Sequence, residues 1–174
     1  MSRHMNALET AAWPTLTIEL DASEQLIVWA LRRWVGGLRQ NDGTQWTLVW
    51  REFGRQFSQQ DGTRALAGFA RLIDGIQRHA RRVMRLHQAC CPCLSADEVC
   101  LVGLIAACQC PAPATAKARA EWMVHADGVG PMLEAGTQFA SIMQRHGMTL
   151  PWRTETDIDG RGEAGLERAL QTVH

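Results

Sequence analysis

From Val99 to Cys108 the side chains are apolar almost all the way round, and the residues just before them, Ser95-Ala96-Asp97-Glu98, form a capping-box sequence. In that motif a serine and a glutamate three places on satisfy each other's backbone amides and start a helix. A helix without a polar face has to be enclosed by others. This run therefore predicts a central helix in an all-helical assembly.

The flanking sequence supplies the neighbours. Asp21 and Glu24 form a second capping box, followed by Ile27, Leu31, Trp34 and Leu38 at spacings of four, three and four, so helix one ends near Gly36-Gly37 or shortly after. The Asn41-Asp42-Gly43-Thr44 turn leads to Trp46, Val49, Trp50, Phe53 and Phe57, a wide aromatic stripe at helical period. Asp61-Gly62 opens helix three, where Leu66, Phe69, Ile73, Ile76, Ala80 and Val83 alternate threes and fours. That helix is expected to run to about His87, because Pro92 disfavours helix at Cys91.

Beyond the central helix, Pro111 and Pro113 end it, a fifth helix is expected from about Thr115 to His125, and Gly128-Val129-Gly130-Pro131 reads as a turn. Helix six carries Met132, Ala135, Phe139, Ile142, Met143 and His146 on one face. Short connections favour antiparallel neighbours. The expected fold is all-α, a compact single-domain bundle of five to six mostly antiparallel helices over residues 21–148. An N-terminal arm, 1–20, carries the alternating Leu16, Ile18 and Leu20. A polar, flexible C-terminal tail, 149–174, has one short helix from Glu163 to Gln171.

Size and charge narrow the function. A chain of 174 residues buries roughly 70% of its unfolded surface without metal or disulfide staples. The formal net charge is zero, which argues against disorder and against a general polyanion-binding surface. Lys117 is the only lysine, and this preference for arginine reads as a coding bias. No apolar run reaches the roughly 20 residues of a bilayer span, and the first residues lack a signal-peptide pattern. A cytoplasmic location follows as an expectation. All six cysteines fall between Cys90 and Cys110, whereas a secreted disulfide framework would spread them out.

The candidate site is the junction His87-Gln88-Ala89-Cys90-Cys91-Pro92-Cys93. Two residues between ligands lets side chains converge on one tetrahedral ion, so zinc is the expected cofactor. Neighbouring Cys90 and Cys91 usually point apart, which leaves one of them as a ligand. Cys108 and Cys110 lie at the far end of the central helix, on the order of 20 Å away at 1.5 Å rise per residue. Cys100 is about one turn in, with its Cβ leaning back toward the junction. The expected ligand set is His87, Cys90 or Cys91, and Cys93, completed by Cys100 or by a remote histidine, His125 or His146. Exposed amides at the helix start should also favour a thiolate at Cys93. Packing is the simpler reading of Cys100, Cys108 and Cys110, since free cysteine behaves as a small hydrophobe.

Two other uses of the same residues are open. Cys90-Cys91-Pro92-Cys93 ahead of a helix is similar to the dithiol of thioredoxin-like proteins, which would make Cys90 and Cys93 a thiol-disulfide pair. No alternation of strand and helix surrounds it, and Asp97 stands where the all-helical alkylhydroperoxidase-D-like dithiol proteins place a histidine. Alternatively the protein is a non-enzymatic helical scaffold for a protein partner. Arg78, Arg81, Arg82 and Arg85, with His79 and His87, form a local basic run that could contact phosphates or nucleic acid. Neutral total charge and the lack of helix-turn-helix spacing favour a solvated face. Cys91-Pro92 and Cys110-Pro111 resemble haem-regulatory dipeptides, and Trp29, Trp34, Trp46 and Trp50 could enclose a flat ligand. Haem is nevertheless not expected, because aromatics at helical spacing are the largest apolar surface a helix can bury. No G-x-S-x-G, Walker, H-E-x-x-H or dinucleotide motif is present, and no catalytic residue is assigned.

Overall fold

The structure, a computed structural model, describes residues 11–154. The expected short helix from Glu163 to Gln171 lies outside the described residues. Among them are six helices: α1 (Ala22–Gln40), α2 (Gly43–Gln56), α3 (Gln59–His79), α4 (Ala96–Gln109), α5 (Pro113–Met123) and α6 (Ala126–Arg145). None is long and apolar enough to cross a membrane.

Capping chemistry sets the starts. Asp21 and Glu24 close their box on α1, Ser95 and Glu98 close theirs on α4, and Asp42 caps α2. Ser58 caps α3 by accepting from the Asp61 amide, so this helix begins before the expected Asp61-Gly62 opening. Asn41 ends α1 in the left-handed conformation, φ 52°, which asparagine tolerates better than most residues.

As expected, α4 occupies the interior, buried from Asp97 to Ala107, and packs against α1, α5 and α6. The antiparallel pair α3 and α6 forms the most extensive helix contact. Asp61 at the start of α3 meets His146 beyond the end of α6, and His79 at the end of α3 meets Asp127 at the start of α6. By contrast α4 and α6 run parallel, with Leu104 against Gly136 and Gln109 against Ala140 and Gln144. The core centres on Phe53, whose ring lies 5.6 Å from Phe69 and 5.8 Å from Phe139, within the range of favourable aromatic pairs. Trp50, expected on the inward stripe, is 54% exposed.

Three local expectations are corrected. Helix α3 stops at His79 rather than near His87, because its continuation finds better partners. The His79 carbonyl accepts from the His125 amide at 2.8 Å, and the Arg81 amide donates to the Met123 carbonyl at 3.1 Å. Ala80 and Val124 thus form an antiparallel bridge, and Val83, expected on the apolar stripe, is 85% exposed. Second, Gly128 to Pro131 belongs to α6. Pro131 lies on its exposed side, where the carbonyl it leaves unpaired can turn to water. Gly128 is needed because a Cβ there would meet the His79 Cβ at 2.4 Å.

Third, the first residues of the expected tail are docked. Gln109 accepts from the Leu150 amide at 2.8 Å and donates to the Met148 carbonyl at 2.9 Å, and Leu150 is buried. Strand β2 (Arg153–Thr154) pairs in parallel with β1 (Ala11–Ala12). Between them Arg153 forks onto Glu24, Nε to Oε1 at 2.6 Å and Nη2 to Oε2 at 2.7 Å. The arm is docked too, with Trp13 and Leu20 buried and a 3-10 turn at Thr17–Glu19.

Since Glu24 is fully buried, Arg153→Ala strands a carboxylate away from water and should destabilise the protein by about 3 kcal/mol or more. Urea denaturation would show this as a lower midpoint, with Arg153→Lys intermediate because a single ammonium cannot form the fork.

Candidate thiol site

Between α3 and α4, residues 80–95 form an irregular segment that is long for a connection within a compact domain. It is held in place by charges on its neighbours. Arg32 on α1 is buried and uses all five of its donors. Its Nε and Nη2 reach Glu98 at 2.7 and 2.9 Å, Nη1 reaches the carbonyls of Cys91 at 2.5 Å and Gln88 at 3.3 Å, and Nη2 also reaches the Cys93 carbonyl at 2.5 Å. Glu98, equally buried, also accepts from the amides of Ser95 at 3.0 Å and His87 at 3.2 Å. A second carboxylate, Asp97, accepts both Arg82 terminal nitrogens, at 3.0 and 2.7 Å, and the Arg85 amide at 2.6 Å.

This scaffold fixes the thiols. The two terminal nitrogens of one planar guanidinium hold the carbonyls of Cys91 and Cys93, which face the same way because the chain runs extended here, with Cys93 bridged to Leu16. The turn lies earlier, where the Cys91 amide donates to the Gln88 carbonyl. On its outer side this extended stretch is pinned to the arm, where the Thr17 amide donates to the Pro92 carbonyl at 2.7 Å and the Leu94 amide to the Thr15 carbonyl at 3.0 Å. Cys91 and Cys93 are half-buried and Cys90 is exposed. Burial first, and then the neighbouring Cys91 thiol, push the Cys93 thiol above its ordinary range. The thiolate expected at Cys93 is therefore not favoured. At the start of α4 the Glu98 amide donates to the Ser95 hydroxyl and the Ser95 amide to Glu98, and the Glu98 carboxylate itself opposes a second negative charge.

The expected ligand set does not assemble. Among the described residues no group of three or more His, Cys, Asp and Glu side chains is placed to hold a metal ion. His87 is half-buried beside the segment, and Cys100 directs its sulfur at the Arg119 carbonyl of α5, 3.6 Å away. His125 precedes α6 and His146 follows it, which separates them by about 30 Å at 1.5 Å rise per residue. His146 is engaged elsewhere, with Nε2 2.9 Å from Oδ2 of Asp61. Cys108 is half-buried on α4, and that burial pushes its thiol up.

The basic run is also redistributed. With α3 ended at His79, only Arg78 of the four arginines is helical, and it pairs with Asp74 at 2.9 Å. Arg81 donates to the Val124 carbonyl at 3.1 Å. Arg82 directs its two terminal nitrogens at Asp97 and lies 4.2 Å from the Trp122 ring centre. Arg85 contributes its backbone to Asp97 and keeps an exposed side chain.

The residues that build the site, Arg32 and Glu98, went unassigned from sequence. A signal was present, since Val28, Arg32 and Val35 follow helical spacing beside the apolar stripe of α1, which puts a charge in an otherwise buried row. No family model, curated protein or solved structure matches this chain.

Two outcomes follow. Arg32→Met keeps length but leaves Glu98 buried and unpaired, and should cost roughly 3–5 kcal/mol. Hydrogen exchange at the amides of His87 to Leu94 should accelerate more than exchange across α3. At the far end of α3, the hydrogen bond from His146, with Arg145 and Arg64 adding charge, holds the Asp61 carboxyl below its usual range. A carboxyl depressed in the folded state adds stability at pH values above its unfolded pKa, and this is lost as pH falls through the folded value. Wild type should therefore lose stability below about pH 4 more steeply than Asp61→Asn, with the two thermal-melting curves converging in acid.

Proposed function

We propose that this protein is a thiol-based regulatory module whose reactive pair is Cys91 and Cys93. The supporting observation is the Arg32 clamp, which grips the carbonyls of both cysteines at 2.5 Å and, with the bridge from Cys93 to Leu16, holds them in an extended stretch, where residues two apart present their side chains on one side. The pair differs from the Cys90 and Cys93 expected from spacing. Cys90 is exposed and outside the clamp.

The chemistry is thiol-disulfide exchange with a low-molecular-weight disulfide as oxidant. Cys91, as thiolate, attacks the disulfide to give a mixed disulfide and releases one thiolate. Cys93, held protonated by its surroundings, serves as the resolving thiol. It gives up its proton and attacks Cys91 Sγ, releasing the second thiol. One dithiol and one disulfide become an intramolecular disulfide and two thiols. A disulfide across a single residue is strained, and strained disulfides are the reducible, regulatory kind. The structural consequence runs through the same clamp, because the same stretch carries the contacts to Thr15 and Thr17.

The reduced protein, treated with glutathione disulfide, should lose two hydrogens in mass, and peptide mapping should join Cys91 to Cys93. Cys90→Ser should behave as wild type, while Cys91→Ser should stop at a mixed disulfide or not react. Linkage of Cys90 to Cys93, or protein isolated without chelator carrying stoichiometric zinc that masks these thiols, would overturn the reading.

A further inference from the structure

Where residues 80–86 peel away from the end of α3, they leave a cleft of about 470 Å³ against α1. That volume lies within the usual range for small-molecule sites. Its walls are Leu31, Val35, Ile73, Ile76, Met84 and Leu86, with Ala80 and Val83 at the peeling strand. Although the chain has seven tryptophans and four phenylalanines, none lines this cleft, so it offers flexible aliphatic contacts rather than a slot for a flat ring. Val83 is 85% exposed at its edge, the most exposed large hydrophobic side chain described.

Its polar groups have one sign. Arg39, Gln77 and Arg82 line the cleft and no acid does. Arg82 directs two of its five donors at Asp97. Arg39, in the last turn of α1, is exposed and has no ion-pair partner among the described residues. Guanidinium groups with donors to spare, beside an aliphatic trough, complement an anion that carries a hydrocarbon chain.

We infer that this cleft binds an aliphatic monocarboxylate of medium chain length, with its chain between α1, α3 and residues 80–86 and its carboxylate at Arg39. The thiol pair is not required for this site. Burial of the chain makes affinity rise with length, by about fourfold per methylene, until the trough is filled. The carboxylate makes affinity depend on salt.

The test compares decanoate, decanol and decylamine by isothermal titration calorimetry below their critical micelle concentrations. Decanoate should bind once per chain, at least about tenfold more tightly than decanol, and decylamine more weakly still. Arg39→Ala, a change at an exposed side chain, should remove the preference for acid over alcohol while leaving decanol unchanged. Val83→Asp, also at an exposed position, should weaken decanoate by about tenfold or more by placing a carboxylate at the edge. Circular dichroism checks that both variants stay folded. Equal affinity for all three probes, several molecules bound per chain, no saturable binding, or decanoate affinity unchanged in both variants would overturn the inference. So would an acidic, aliphatic-rich peptide occupying the cleft when decanoate does not.

Discussion

The ion pair between Arg32 and Glu98 organises this protein more than any single apolar contact. Burying a guanidinium and a carboxylate is expensive, and their mutual attraction alone need not offset the lost hydration. What changes the balance is saturation. Every Arg32 donor has an acceptor, and each Glu98 oxygen receives one guanidinium nitrogen and one backbone amide. The surplus bonds all go to residues 87–95. The pair therefore spends its electrostatic strength on positioning a segment that has no helix or sheet of its own.

The same arrangement occurs at the start of α1. Glu24 closes a capping box, as Glu98 does, and also receives an arginine fork, here from Arg153. In both cases a glutamate whose local role is to end-cap a helix has a distant arginine laid across it. The capping box determines where the glutamate sits and the arginine determines what else must come there: the cysteine segment at α4 and the pair of strands β1 and β2 at α1. Local and long-range structure are joined at one carboxylate each. This couples helix starts set locally to the long-range arrangement of the six helices.

Most of the helix pattern was legible because its causes are local. Capping boxes at Asp21 and Ser95, apolar spacings in α1, α2 and α3, and the all-round apolar α4 act within a few residues of themselves. The features that were not legible depend on partners far along the chain. Nothing near His79 breaks a helix; residues 123–125 do, by taking the His79 carbonyl and the Arg81 amide. Gly128 to Pro131 has turn composition, yet the close approach of α3 requires the glycine and an exposed helical face accommodates the proline. Residues 149–154 look too polar to dock, but Gln109 receives the Leu150 amide and Glu24 the Arg153 guanidinium. At the candidate site, which backbone carbonyls are drawn together is decided by Arg32, some sixty residues away, and no spacing within the segment signals it.

The early end of α3 connects these observations. Had the helix continued to His87, Val83 would have extended the apolar stripe, the side chains now lining the cleft would have had a helical neighbour, and Arg82 and Arg85 would have pointed along a solvated face. Instead the chain unwinds at Ala80 and lays Met84 and Leu86 back over α1, and it delivers Arg82 and the Arg85 amide to Asp97. Local preference for helix is sacrificed over two turns, which is unfavourable unless something distant offsets it. Two buried carboxylates at the start of α4 provide the offset. Sites where local preference and tertiary structure disagree are where function is expected to concentrate, and here one such disagreement produces both a constrained pair of cysteines and an aliphatic cleft from the same sixteen residues.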